Sequence, residues 1–165
     1  MKKNFFFKLL PLLSSCLIVF LISTINPPQG YGFLIPNVSI SCLIYWSLRK
    51  DYHFGSLEVF LFGIINDFTF STPLGSSSVL FLITNLFLIL INKRIKFNIQ
   101  ILSFFNIIVS LLFYFCITYL FISIYYNNNP ILSNYLMSFI LTIFLYPVIY
   151  IVLNKVISIK QLDEI

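Results

Sequence analysis

Charge is what this sequence has least of. Only 9% of its 165 residues are Asp, Glu, Lys or Arg, against about 25% in an ordinary soluble domain. With 59% of residues hydrophobic, too little polar surface remains to cover a water-soluble globule of this size. Alanine is missing altogether, so the five glycines and the serines must supply the places where helices pack closely. There are three cysteines, Cys16, Cys42 and Cys116, each inside an apolar run. An odd number at that depth argues against a disulfide framework, and free cysteine there behaves as a small hydrophobe. The one histidine, His53, stands beside Asp51 in a short loop, where contact with water or lipid headgroups is its plain reading. There is no zinc spacing, no phosphate loop and no Ser/His/Asp set. The sequence therefore offers no catalytic residue, no cofactor-binding residue and no metal ligand.

What is present is length of apolar run. Each membrane-spanning helix needs about 20 residues. Six can be read: Phe5–Ile25, Tyr31–Leu48, Phe54–Phe70, Pro73–Ile91, Ile99–Tyr125 and Ile131–Leu153. They take about 125 residues and leave about 40 for tails and loops, so no soluble catalytic or nucleic-acid-binding domain fits. The expected fold is all-α: one polytopic integral membrane domain over residues 1–165, with six transmembrane helices.

The net charge of +5 then becomes a topology signal. Lys and Arg favour the cytoplasmic side of short loops. Lys2 and Lys3 precede helix 1 and Lys8 lies in its first turn. Arg49 and Lys50 follow helix 2, and Lys93, Arg94 and Lys96 follow helix 4. Lys155 and Lys160 follow helix 6. All ten lie on one side if both termini are cytoplasmic, and the opposite loops Asn26–Gly30, Ser71–Thr72 and Asn127–Pro130 carry no charge. Helix 2 is interrupted by Gly32, Pro36, Asn37, Ser39 and Ser41, and helix 3 holds Glu58, Asn66 and Asp67. Six is nevertheless the count that keeps every basic residue inside. Tyr45 and Trp46 near the inner end, and Tyr31, Tyr125, Tyr126 and Tyr135 near the outer, fit interfacial aromatic belts. Pro36 and Pro147 are expected to kink their helices.

The N-terminus imitates export signals without completing one. No small-residue cleavage site follows a 7–15-residue apolar core. Leu13-Ser14-Ser15-Cys16 matches a lipoprotein box in form, but the chain after Cys16 stays apolar, so an uncleaved first helix is expected.

Ionisable residues inside spans are functional candidates by default, and helix 3 has two. At about 100° per residue, Ser56, Gly63 and Asp67 share one face of mostly small residues, with Glu58 on the opposite side. That separation argues against an acid/base pair. Glu58, a turn from the inner end, can reach Arg49 or Lys50, or a partner protein. Asp67, a turn from the outer end, precedes Thr72-Pro73, a good cap and first-turn pair for helix 4. The free N–H groups of that helix start favour a carboxylate. Asp67 is thus read as a clamp on the 3–4 hairpin, with partner docking and a proton or ligand role as alternatives. Thr84, Asn85, Asn106, Ser110, Ser138 and Thr142 are expected to bond between helices.

These residues resemble a family. Tyr45-Trp46-Ser47-Leu48-Arg49, then Gly63-Ile64-Ile65-Asn66-Asp67, then Ser71-Thr72-Pro73-Leu74-Gly75 resemble the YW-x-L-R, G-x-x-x-D and S-x-P-L-G segments of the rod shape-determining protein MreD family, at similar spacing. The resemblance is closest from Ile44 to about Asn85, and the tail from Ile159 offers nothing to align. It implies a bacterial inner-membrane scaffold or regulatory subunit of the cell-elongation machinery, needed for rod shape and lateral peptidoglycan synthesis, with no reaction of its own. Implied partners are an MreC-like bitopic protein, MreB-like actin filaments, a SEDS glycosyltransferase and a class B penicillin-binding protein. The motif residues Tyr45, Trp46, Arg49, Gly63, Asp67, Pro73 and Gly75 become structural or partner-docking candidates. The family's fold is also thought to resemble the substrate-binding subunits of energy-coupling-factor vitamin transporters. That supplies a competing expectation: a ligand held from the outer side by convergent polar groups.

Overall fold

The computed structural model describes residues 3–24, 35–49, 54–94, 100–126 and 131–162, and all of their regular structure is helical. The order is α1 (Lys3–Ser23), α2 (Val38–Leu48), α3 (Ser56–Phe70), α4 (Ser76–Arg94), α5 (Gln100–Tyr126) and α6 (Leu132–Leu162). Asn26–Gly30, Asn127–Pro130, Lys50–His53 and Lys96 lie outside the described residues.

Every helix start shifts from the sequence reading, most by one to three residues, and helix 4 runs on to Arg94. Helix 2 begins at Val38, not Tyr31: Pro36 precedes it rather than kinking it, and Asn37 caps it, accepting from the Ile40 N–H. An Asn directly before an apolar run is a helix start. Helix 3 begins at Ser56, with Gly55 as its cap. Helix 4 begins at Ser76, three residues after Pro73, because Gly75 rather than Thr72 accepts the first helical bond, from Val79 N at 3.0 Å. Helix 6 runs on past Leu153 to Leu162, carrying Asn154 and Lys155 with it. Pro147 does lie inside α6, and Pro11 lies inside α1.

At 1.5 Å per residue α2 is only about 16 Å long, yet every residue from Val38 to Trp46 is buried. It touches α1, α4, α5 and α6 and forms the axis of the bundle. A short buried helix leaves non-helical backbone at depth, tolerated only where protein groups satisfy it. Here α6 does so. The Thr142 hydroxyl accepts from the Asn37 N–H at 3.0 Å, and the Ser138 hydroxyl donates to the Ile35 carbonyl at 3.4 Å.

α3 and α4 form the tightest hairpin. A Cβ added to Gly63 would lie 2.3 Å from the Ser78 Cα, so α4 backbone occupies the space a side chain would need. Phe62 of α3 stacks on Phe81 of α4 at 5.5 Å, and Phe81 packs on Tyr114 of α5. From sequence to packing, the missing alanine has its consequence here: glycine and serine make the closest contact.

The bundle is inverted relative to a soluble protein. Asn66, Asp67, Ser77, Asn85, Asn106, Ser110 and Thr142 are buried, while Phe105, Leu112, Leu120, Ile124, Leu136, Phe144 and Ile151 are exposed along α5 and α6. Two stretches, Phe104–Tyr125 and Leu132–Ser158, are long and apolar enough to cross a bilayer; Leu9–Ser23, Val38–Leu48 and Ser76–Asn92 are shorter apolar helices.

Candidate functional site: the hairpin carboxylate and the Arg49 anchor

Asp67 is 1% exposed. Among the described residues no basic side chain lies within ion-pair distance of it. Instead four donors from the turn and the start of α4 surround it. Oδ1 accepts from the Thr72 hydroxyl at 2.7 Å, the Ser77 N–H at 3.0 Å and the Ser76 hydroxyl at 3.2 Å. Oδ2 accepts from the Gly75 N–H at 2.7 Å. Bonds to a carboxylate are about twice as strong as neutral ones, and the partial positive charge of the α4 N-terminus adds to them.

Local backbone makes this arrangement possible. Ser71 ends α3 in the left-handed region at φ 52°, and the Thr72 N–H returns to the Asp67 carbonyl at 3.1 Å. Pro73-Leu74 then form a turn closed by the Ser76 N–H on the Pro73 carbonyl at 3.0 Å. Gly75 sits at φ +90°, where a side chain is strained. Thr72 was expected to cap helix 4; its hydroxyl is spent on Asp67. Ser56, expected on the same face as Gly63 and Asp67, is exposed.

Next to this carboxylate runs a neutral relay that the sequence reading missed. Ser39 of α2 donates to Asn66 Oδ1, and Asn66 Nδ2 donates to Ser77 Oγ at 2.9 Å. The relay ties α2, α3 and α4 together. The available signal is Asn66 itself, a full amide inside a largely apolar helix. Beside the relay lies a cavity of about 330 Å³, lined by groups including Asn37, Asn66, Ser76, Tyr114, Thr118 and Ser138. Across it Asn37 Nδ2 donates to the Tyr114 hydroxyl at 3.1 Å.

The YW-x-L-R residues occupy the other end of α2. Trp46 is wholly buried and Tyr45 is 2% exposed, so neither forms an interfacial belt. The Tyr45 hydroxyl donates to Asn154 Oδ1 at 2.7 Å; Arg49 Nη2 donates to the same oxygen, and its guanidinium carbon lies 5.1 Å from the Tyr45 ring centroid. Asn154 was overlooked because helix 6 was expected to stop one residue before it. Of the expected outer belt, Tyr125 is exposed and Tyr135 half-buried; Tyr31 and the Tyr126 side chain lie outside the described residues.

Glu58 does not reach Arg49. Its Oε2 accepts from the Gly55 N–H at 3.0 Å, capping its own helix. The expected interhelical bonds divide. Asn85 accepts from Ser47 at 2.8 Å and joins α4 to α2, whereas the hydroxyls of Thr84 and Ser110 bond back to carbonyls of their own helices. Cys16, Cys42 and Cys116 are free. Among the described residues no three His, Cys, Asp or Glu side chains gather as a metal site.

Described residues that are helical throughout their regular structure, with apolar outer faces, a polar interior and a deeply buried carboxylate held by backbone and hydroxyl donors, define a polytopic membrane protein. Comparison with family models makes it particular: residues 3–156 match the model of rod shape-determining protein MreD, and the chain belongs to that family. The family is a non-enzymatic, membrane-located one with a role in rod cell shape. No curated protein and no solved structure matches the chain.

Proposed function

We propose that this chain is an inner-membrane scaffold or regulatory subunit of the bacterial cell-elongation complex, crossing the bilayer six times with both termini cytoplasmic. Family membership over residues 3–156 is the observation that carries it. The geometry supports the same reading. Asp67, Gly63 and Gly75 hold the α3–α4 hairpin, and Tyr45 and Arg49 fasten α2 to α6, so these motif residues pre-shape a docking body. The partners are those the resemblance implies: an MreC-like bitopic protein, MreB-like filaments, a SEDS glycosyltransferase and a class B penicillin-binding protein. Depletion should round rod-shaped cells and reduce lateral wall insertion. Unchanged shape and insertion would overturn the proposal. Photo-crosslinkers on the exposed face of α3, at Leu57, Phe60 and Phe68, should trap one of these partners in native membranes.

One observation favours a second reading, a transporter's substrate-binding subunit. The 330 Å³ cavity falls within the size range of small-molecule pockets and has amide and hydroxyl groups converging on it. A vitamin-like compound copurifying with the protein, or uptake lost on deletion, would select that reading.

A further inference from the structure

The half-buried guanidinium of Arg49 has no acidic side chain paired with it among the described residues. Among the described residues it meets the Asn154 amide and the Tyr45 ring, which fix its position and carry no negative charge. A guanidinium has five N–H donors, and among the described residues one of them is engaged, by Asn154. Beside it opens a groove of about 450 Å³ walled by Arg49, Ile151, Asn154, Lys155, Ile157 and Ser158. Lys155 is exposed and brings a second cation; the exposed Ser158 brings a hydroxyl. Ile151, 60% exposed, carries the wall down into the apolar length of α6. The groove is therefore cationic and hydrogen-bonding at the membrane's edge and apolar toward its interior.

We propose that this groove binds the phosphate of an anionic phospholipid, held between Arg49 and Lys155, with an acyl chain against Ile151. Arg is suited to phosphate because its planar fork presents two parallel donors. The anchoring on Asn154 and Tyr45 means that little side-chain freedom is left to lose on binding. The apolar wall distinguishes a lipid from free phosphate, which would gain nothing from it. The site requires only that α6 lie in a bilayer; its assignment to the inner leaflet rests on the topology proposed above.

The test uses the full chain purified in an uncharged detergent. It is titrated with short-chain phosphatidylglycerol, with phosphatidylcholine of the same chain length, and with inorganic phosphate, and bound molecules are counted by native mass spectrometry. Phosphatidylglycerol should bind about tenfold more tightly than phosphatidylcholine, and Lys155→Gln should weaken it about fivefold, the effect of one interfacial cation. Arg49→Gln should weaken it at least as much, and Arg49→Lys less. Lys155 is exposed, so its variant stays informative even if Arg49→Gln fails to fold. Equal affinity for the two lipids, or an unchanged Lys155→Gln, overturns the site. Inorganic phosphate binding as tightly as the lipid overturns the lipid assignment.

Discussion

At Asp67 the physical question is what four donors do when their acceptor changes. Asn keeps the shape but replaces one carboxylate oxygen with an NH₂ group, which must face N–H or O–H donors. Each buried group left unpaired costs about 1–3 kcal/mol. Asp67→Asn should therefore lower thermal stability in detergent and reduce the amount of assembled protein in membranes. Stable, normally assembled protein that nevertheless loses function would instead mark a proton or ligand role. The glycines permit an ordering of severity. Gly63→Ala places a Cβ 2.3 Å from α4 backbone, so the helices must part. Gly75→Ala meets nothing within 4 Å and suffers only the left-handed backbone, about 1–2 kcal/mol. Accumulation of folded protein should fall further for Gly63→Ala than for Gly75→Ala, and the reverse order would contradict the close α3–α4 contact.

Among elements, α2 depends most on its neighbours, because its own length gives it few helical bonds and α6 hydroxyls finish its backbone. Substituting both Ser138→Ala and Thr142→Val leaves the Asn37 N–H and Ile35 carbonyl without those partners. Hydrogen exchange at the α2 start should quicken, and stability should fall by about 2–6 kcal/mol, the cost of two unpaired groups. Unchanged exchange there would show that the chain satisfies this start in another way. The same element shows what was legible in the sequence. The count of six helices and the Asp67 hairpin could be read, since apolar runs, basic loops and a Thr-Pro-x-Gly turn are local signals. The short buried α2 could not, because Asn37 signals a cap only when it outweighs the apolar residues before Pro36. Asn154 was hidden for a related reason. A lone Asn-Lys pair after an apolar run looks like an exit from the membrane, whereas tertiary contact with Tyr45 and Arg49 gives it a place in the helix. Glu58 misled because a cation in sequence reach, Arg49, drew the reading away from its own helix start, where the Gly55 N–H takes its carboxylate.

For the molecule as a whole, the lengths are unequal. α5 and α6, with 27 and 31 residues, extend about 40 and 46 Å, longer than the roughly 30 Å hydrocarbon core. α3 has 15 residues and extends about 22 Å. A helix that short crosses only if local thinning and flanking residues make up the difference. The two ends of α3 therefore test the proposed topology directly. Ser56 at the start of α3 and Leu74 in the turn are both exposed and lie at opposite ends of α3. In a chain whose three cysteines have been replaced, Leu74→Cys should react with an impermeant thiol reagent added outside intact cells. Ser56→Cys should react only after the membrane is opened. Protection of both until opening, or reaction of both without it, would mean that α3 does not cross. The six-span count would then fail, even though the ten basic residues would still need a common side.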